Sequence, residues 1–383
     1  MKYEKDVGKL VSSYQQLEND IIIDIIRRIR KEGKITSTAD YQLNRLKILG
    51  KTNEEIQEML KDRLNLSYEE IFSLYDTAVQ EEYARNESLY DKVDVSYIPY
   101  SNNLALQQEV EMLKRQTKES FENFTKTTGF VVLMESGQYS FLSIENYIYL
   151  KLDKALFDIS SGAFSYDEVL KRTTRDLTNR GLCYVSYESG HINRIDTVVR
   201  RSVMTGLSQL QGNIADMNAE KLGTDFFEVD WHTGARPSHA IWQGRIYSKK
   251  DLVNVCGLGS VTGLKGVNCY HNYTPFIKGI SVPRYTDEQL KELNRQDNLK
   301  KEYKGKKYTT YEATQRQRAY ERRARSQRLK IRALEEGGAE KSEIEKAKYK
   351  YKKTLEDYRK FSKAVGLPTQ NARIYNDGLG RVL

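Results

Sequence analysis

At 383 residues the chain has room for about two to three domains. Its 39% hydrophobic and 30% charged side chains, with a mean hydropathy of -0.69, leave too little apolar material for one large core. The most apolar run, Ile21 to Ile29, is broken by Asp24, Arg27 and Arg28, and a bilayer span needs about 20 largely apolar residues; no membrane partner is expected. The opening MKYEKDVGKL lacks the apolar stretch of a secretory signal. Three cysteines, an odd number, argue against a disulfide framework and for synthesis in a reducing cytoplasm. Charge is uneven. Residues 291–383 hold 26 Lys+Arg against 13 Asp+Glu, whereas residues 1–290 hold 36 against 40, so the C-terminal quarter calls for an acidic partner.

The first ninety residues read as helices. Leu10, Tyr14, Leu17, Ile21, Ile25 and Ile29 recur at three- and four-residue steps, an apolar stripe of helical period that either packs inside a helical domain or docks a partner. Gly33 should close this helix, and Thr36 to Leu49 should form the next, stopped at Gly50. Thr52 with Glu55 and Ser67 with Glu70 make S/T-x-x-E capping patterns that start two more, ending near Arg63 and Tyr90. Pro99 marks a break before a helix over 102–124.

The middle is mixed. Strands are expected at 130–134 and 139–142 around a Ser136–Gly137 turn. Ser165 and Glu168 should cap a helix, and a long amphipathic helix follows through Val199, Val203, Leu207 and Leu210. Phe227, Val229 and Trp231 alternate with Glu228 and Asp230 as in a half-buried strand. After the Thr286/Gln289 capping pair almost everything favours helix, with a turn at Gly337–Gly338 and a thin seam of Ile344, Ala347, Tyr351, Tyr358 and Phe361. The fold class expected is α-rich α+β. It comprises a helical N-terminal domain (1–125), a mixed central domain (126–284) and a basic helical hairpin arm (285–383).

All four histidines and all three cysteines lie between positions 183 and 271. His239, Cys256, Cys269 and His271 are the best set for a metal, since imidazole and thiolate suit zinc. Only Cys269 and His271 are close in sequence, however, and C-x12-C-x-H is a poor signature. The preferred expectation is therefore buried thiols and histidines bonded to backbone, with no metal and no cofactor. CGLGSVTGLKG (256–266) lacks the Walker pattern and reads as a tight loop with left-handed positions. WHTGARPSHAIWQG (231–244) carries Arg236 and His239, but no Asp or Glu lies between Trp231 and Lys250 to orient a base. No catalytic residue is assigned. Residues 291–330 hold 14 bases against 5 acids. Lys304, Lys306, Lys307, Arg316, Arg318, Arg322, Arg323, Arg325 and Arg328 are candidates to neutralise phosphates of duplex DNA without sequence preference.

Several strings together resemble one family. ADYQLNRLKILG (39–50), RRSVMTGLSQLQGN (200–213), VDWHTGARPSHAIWQGRIYS (229–248), CGLGSVTGLKGVNCYHNYTPFIKGIS (256–281), YTTYEATQRQRAYERRARSQR (308–328) and YRKFSKAVGLPTQNARI (358–374) are similar to the phage minor capsid protein 2 family. That family is itself similar in its middle to the Mu F-like head-morphogenesis proteins. Residues corresponding to the wider group's motif are Arg201, then Arg236, His239 and Gly244, then Asn268 and Cys269; Val203 and Tyr270 depart from it. The resemblance implies a non-enzymatic minor capsid protein of a bacteriophage virion, assembled in the host cytoplasm. It would lie inside the head near the portal, with portal protein, other head proteins and packaged DNA as partners. The competing reading is a metal-dependent nucleic-acid-processing enzyme built on Arg236, His239, Cys256, Cys269 and His271.

Overall fold

The computed structural model describes residues 3–35, 37–186 and 190–382. The helical N-terminal reading holds in kind but not in punctuation. Helix α1 (Glu4–Ile35) runs past Gly33, and α2 (Thr38–Ala84) is a single helix of 47 residues where three were expected; Thr36 lies outside the described residues. Thr52 and Ser67 do not cap. Their hydroxyls turn back onto the carbonyls of Ile48 and Arg63, at 2.8 and 2.7 Å, a mid-helix use of a short polar side chain. Gly50 inside a helix costs about 1 kcal/mol. The buried row of Leu49, Ile56, Leu60, Leu64, Ile71, Tyr75 and Val79 along α2 outweighs that cost. Short α3 (Glu87–Lys92) leads to the break at Pro99, and α4 (Leu104–Lys126) starts where Asn103 Oδ1 accepts the Leu106 N–H.

Strands β1 (Thr128–Leu133) and β2 (Tyr139–Ser143) form the expected hairpin, with Gly137 at φ 80° in its turn. Helices α5 (Ile144–Tyr147), α6 (Asp153–Ser160) and α7 (Tyr166–Arg180) follow, the last opened by the Ser165/Glu168 capping box. Strands β3 (Leu182–Val185) and β4 (Ile192–Arg194) complete an antiparallel sheet of order β2-β1-β3-β4. The long α8 (Ile195–Lys221) then feeds β5 (Phe226–Val229). Next come α9 (Pro237–Ala240), β6 (Ile246–Ser248), α10 (Lys249–Asn254) and β7 (Tyr273–Pro275). In the resulting three-stranded sheet β5 is central, paired antiparallel with β6 and β7.

The C-terminal region departs from an all-helical arm. After α11 (Asp287–Asp297), capped by Thr286 and Gln289, a small hairpin of β8 (Lys301–Tyr303) and β9 (Lys306–Tyr308) intervenes. Its two-residue turn places both Lys304 (φ 51°) and Gly305 (φ 73°) in the left-handed region, which matches the strand twist. The helical hairpin is α12 (Thr310–Gly337) and α13 (Lys341–Ala364), followed by α14 (Ala372–Tyr375). Tyr351, Tyr358 and Phe361 of the expected seam are buried, and Gly338 turns the chain at φ 71°.

The chain divides into two compact units that interleave in sequence. The first takes residues 1–8, 68–120 and 200–316; the second takes 9–67, 121–199 and 317–383. In the first, Ala215 and Ala219 of α8 pack with Phe227, Val229, Trp242, Leu252, Leu264 and Tyr273 as one apolar core. In the second, the stripe from Leu10 to Ile29 is buried throughout, and Tyr14 meets Phe121 edge-on with ring centroids 6.3 Å apart. That stripe is core and offers no free docking face.

Candidate functional site

The residues set apart by sequence gather at the open end of the β6-β5-β7 sheet. β5 delivers the chain to Trp231, whose indole N–H donates to Asn294 Oδ1 at 2.9 Å. The turn at Thr233–Gly234 is held by Asp297, whose carboxylate accepts the Gly234 N–H at 2.9 Å and the Thr233 hydroxyl at 2.5 Å. A carboxylate therefore does reach this segment, from α11 some sixty residues on, but its oxygens are spent on closing the turn. Arg236 N-caps α9 and donates to the Val267 carbonyl at 2.6 Å. Gly244, at φ 77°, passes so close to Leu290 that a Cβ there would lie 2.4 Å from its Cδ2, so only glycine fits.

The second strand of the site is the loop 256–272. Gly257, Gly259, Lys265 and Asn268 all have positive φ. A Cβ on Gly263 would meet the Gly257 carbonyl oxygen at 2.1 Å. The loop's N–H groups close on itself, Leu264 to Cys256, Val267 to Val261 and Gly266 to Gly263. This is the tight left-handed loop expected; those three N–H groups are not available to cradle an anion. Asn268 and Cys269 line a small cleft with Arg200, Arg201, Met204 and Tyr270. Arg200 donates there to Tyr270 Oη at 3.1 Å and to Glu4 at 2.9 Å.

Between these two segments lies a buried polar cluster. His239 and His271 are each 2% exposed, Gln243 1% and Cys269 6%. His239 Nε2 is 2.8 Å from the Thr262 carbonyl, and His271 Nε2 is 2.9 Å from Gln243 Oε1, which also accepts the His232 N–H at 3.1 Å. The two Nδ1 atoms face each other at 3.4 Å, with Cys269 Sγ 3.7 Å from that of His271. Cys256 belongs to the same apolar core but not to this group of convergent ligand atoms. Burial pushes the His271 imidazole down to about 2, helped by repulsion from His232, His239 and Arg236. It lowers His239 and His232 too, and raises the Cys269 thiol. At neutral pH the cluster is uncharged. His232 and Gln243 complete it, and the Asp297 carboxylate closes the turn beside it; nothing in the sequence tied these together, because their contacts are made across turns and from a distant helix.

The basic candidates are spread over different settings. Lys304, Lys306 and Lys307 stand exposed on the β8–β9 hairpin rather than on a helix, and Arg316 is exposed early in α12; these lie in the first unit. In the second unit Arg322 and Arg323 are exposed and Arg318 is half-buried. Arg325 and Arg328 are taken by the interior. Arg325 donates to Asp196 at 3.1 Å and to the Arg373 carbonyl at 2.8 Å. Arg328, 2% exposed, clasps Asp377 with two bonds of 2.8 and 2.9 Å.

Among the described residues no helix is long and apolar enough to cross a membrane. One family model, described as phage minor capsid protein 2, matches residues 2–362. Neither the curated proteins nor the solved structures contain a match.

Proposed function

From the premise that this chain belongs to the phage minor capsid protein 2 family, and so is a structural protein of the phage virion, we propose that it is a portal-associated, non-catalytic head component that touches the packaged duplex. The observation that carries the DNA contact is the β8–β9 hairpin. Lys301, Lys304, Lys306 and Lys307 project from two short strands and their turn, all exposed, in a stretch where bases outnumber acids 14 to 5. Such a tip neutralises phosphates without reading bases, and its affinity must fall with salt as counterions are released. Arg316, Arg322 and Arg323 are further candidates; Arg325 and Arg328 are already committed to carboxylates.

His239 and His271 are 2% exposed and Cys269 6%, and the Asp297 carboxylate beside the segment is occupied by a turn. A general base needs to reach its substrate.

Gel-shift titration of the full chain against duplex DNA of unrelated sequences tests the reading. Binding should be independent of sequence. Lys304→Gln/Lys306→Gln/Lys307→Gln together should reduce the slope of log affinity against log salt by about 2–3. Absent or salt-insensitive binding rejects the DNA contact. Co-expression with the cognate portal protein should give co-elution, and its failure rejects the portal assignment. Metal-dependent nuclease activity lost in His239→Ala would establish the enzyme instead.

A further inference from the structure

We propose that His239 Nδ1, His271 Nδ1 and Cys269 Sγ are three ligands of a buried structural zinc ion in the first unit. This inference is independent of DNA and portal binding. The His232 backbone N–H is an obligatory donor, and it points at Gln243 Oε1. That contact fixes the Gln243 amide, since the reversed amide would set an NH2 group against an N–H. The same oxygen lies 2.9 Å from His271 Nε2, so Nε2 carries the proton and Nδ1 is bare. For His239 the partner of Nε2 is the Thr262 carbonyl, which can only accept. Its Nδ1 is bare as well.

Two imidazole lone pairs thus face each other at 3.4 Å on side chains that are each 2% exposed. The Cys269 S–H, a weak donor at 3.7 Å, can satisfy one of them and not both. Left so, the arrangement is an unrepaid cost of burial. A metal ion removes it, because all three atoms become ligands. The spacings fit. With Zn–N near 2.0–2.1 Å and Zn–S near 2.3 Å, tetrahedral angles put two nitrogens about 3.3 Å apart and a nitrogen and a sulfur about 3.6 Å apart. Two of the pairs match, His239 to His271 at 3.4 Å and Cys269 to His271 at 3.7 Å, and the third, His239 to Cys269, lies within 4.8 Å, so that ion binding would draw those two atoms together.

The outer shell agrees. A metal-bound histidine normally donates its other ring N–H to a carbonyl or carboxylate, which sets tautomer and ring orientation; here both do. His232 lies beside His271, its ring tilted by 35° with centroids 4.1 Å apart, and its Nε2 is buried without a hydrogen-bond partner; it is not among the converging ligand atoms, so the fourth position is left to a water or another donor. Two neutral imidazoles and one thiolate favour Zn2+ over the hard cations Mg2+ and Ca2+. Loading forms the Zn–S bond and releases the thiol proton to solvent.

The test uses the full chain, stripped with a chelator and dialysed. Titration with Zn2+ should show one tight equivalent and raise Tm, as binding to the folded state alone requires. Co2+ in its place should give the visible bands of a tetrahedral ion and a thiolate-to-metal charge-transfer band. Cys183→Ser/Cys256→Ser, which leaves Cys269 as the sole thiol, should keep that band; Cys269→Ser should lose it, with circular dichroism as the folding control. A folded parent that takes up neither ion overturns the proposal. So does a band that disappears in the double serine variant.

Discussion

Two interiors within this chain handle buried polarity differently. In the second unit charge meets charge. Glu18 receives two bonds from Arg194, at 2.8 and 2.9 Å, Asp196 receives Arg325 and Gln15, and Arg328 is locked to Asp377. In the first unit the cluster around His239 and His271 is neutral, imidazoles and a thiol bonded to carbonyls, although Lys265 lies buried beside it on Asn272 Oδ1. An ionic core recovers its desolvation cost only while both partners are present. A neutral one depends on lone pairs and N–H groups matching, and a mismatch marks a place for a ligand. The contrast explains why a count of arginines overstated the free basic surface: part of that charge balances acids in the interior.

The largest effect expected from breaking the contrast is at Arg328. Arg328→Ala leaves Asp377 charged and buried, along with the Gly380 carbonyl that Arg328 also serves. Stability should fall by about 3–5 kcal/mol, read from the urea midpoint. Arg323→Ala, exposed on the same helix, should change it by less than about 0.5 kcal/mol. Equal losses at the two positions would mean that the buried pair is no different from surface charge.

A smaller, pH-dependent effect belongs to Glu18. Burial raises its carboxyl to about 7 despite Arg194, with the neighbouring Asp196 adding to the rise. Asp196, where burial acts in the same sense, is nonetheless held at about 2 by Arg194 and Arg325. Arg194 gives Glu18 the closer contacts, at 2.8 and 2.9 Å against 3.5 Å to Asp196, but Asp196 has Arg325 and the Gln15 amide as well. Because the folded-state value of Glu18 lies above its ordinary value of 4.5, its contribution is fully present below pH 4.5 and is lost as pH rises through 7. Within that window stability should fall by at most about 1.4 kcal/mol per pH unit. Glu18→Gln should flatten the dependence between pH 4.5 and 7. A variant that follows the parent curve would place the titration elsewhere.

How much of this was legible in the sequence depends on the range of the interaction. Local signals read true. Ser165/Glu168 and Thr286/Gln289 form the capping boxes their spacing announced, and the β1–β2 turn sits on Gly137. The same local rule failed at Thr52 and Ser67, because a continuous buried row along α2 rewarded keeping the helix. The Lys304–Gly305 turn was hidden by a lysine in a left-handed position, where asparagine or glycine would have signalled a hairpin. In the candidate site, His239, Cys269 and His271 were named from residue type alone. Cys256 was grouped with them and stands apart, while Gln243, Thr262 and Asp297, which decide protonation and close the turn, act across folds of the loop that no spacing encodes.

The two capping boxes offer the smallest effect and the finest version of the comparison. In the second unit the box is ionic: Glu168 accepts from the Ser165 N–H at 3.2 Å and hydroxyl at 2.9 Å. In the first it is neutral: Gln289 Oε1 accepts the Thr286 N–H at 2.8 Å. Each hydroxyl in turn accepts the N–H three residues on. At neutral pH Ser165→Ala and Thr286→Ala should each cost about 1 kcal/mol of local helix stability, read as faster amide hydrogen exchange over the first turns of α7 and α11. The hydrogen bonds from the Ser165 hydroxyl and N–H hold the Glu168 carboxyl below its ordinary 4.5. Its contribution is therefore present above pH 4.5 and is lost as pH falls through the lower folded-state value. Protonated Glu168 accepts more weakly, so the cost of Ser165→Ala should shrink in acid. Gln289 has no proton to gain, but the Glu288 carboxyl is held below its ordinary value by its own backbone N–H and also by the Thr286 hydroxyl, so the cost of Thr286→Ala should shrink less in acid than that of Ser165→Ala. If both costs shrink equally, acid is loosening the whole protein and the ionic box has no separate role.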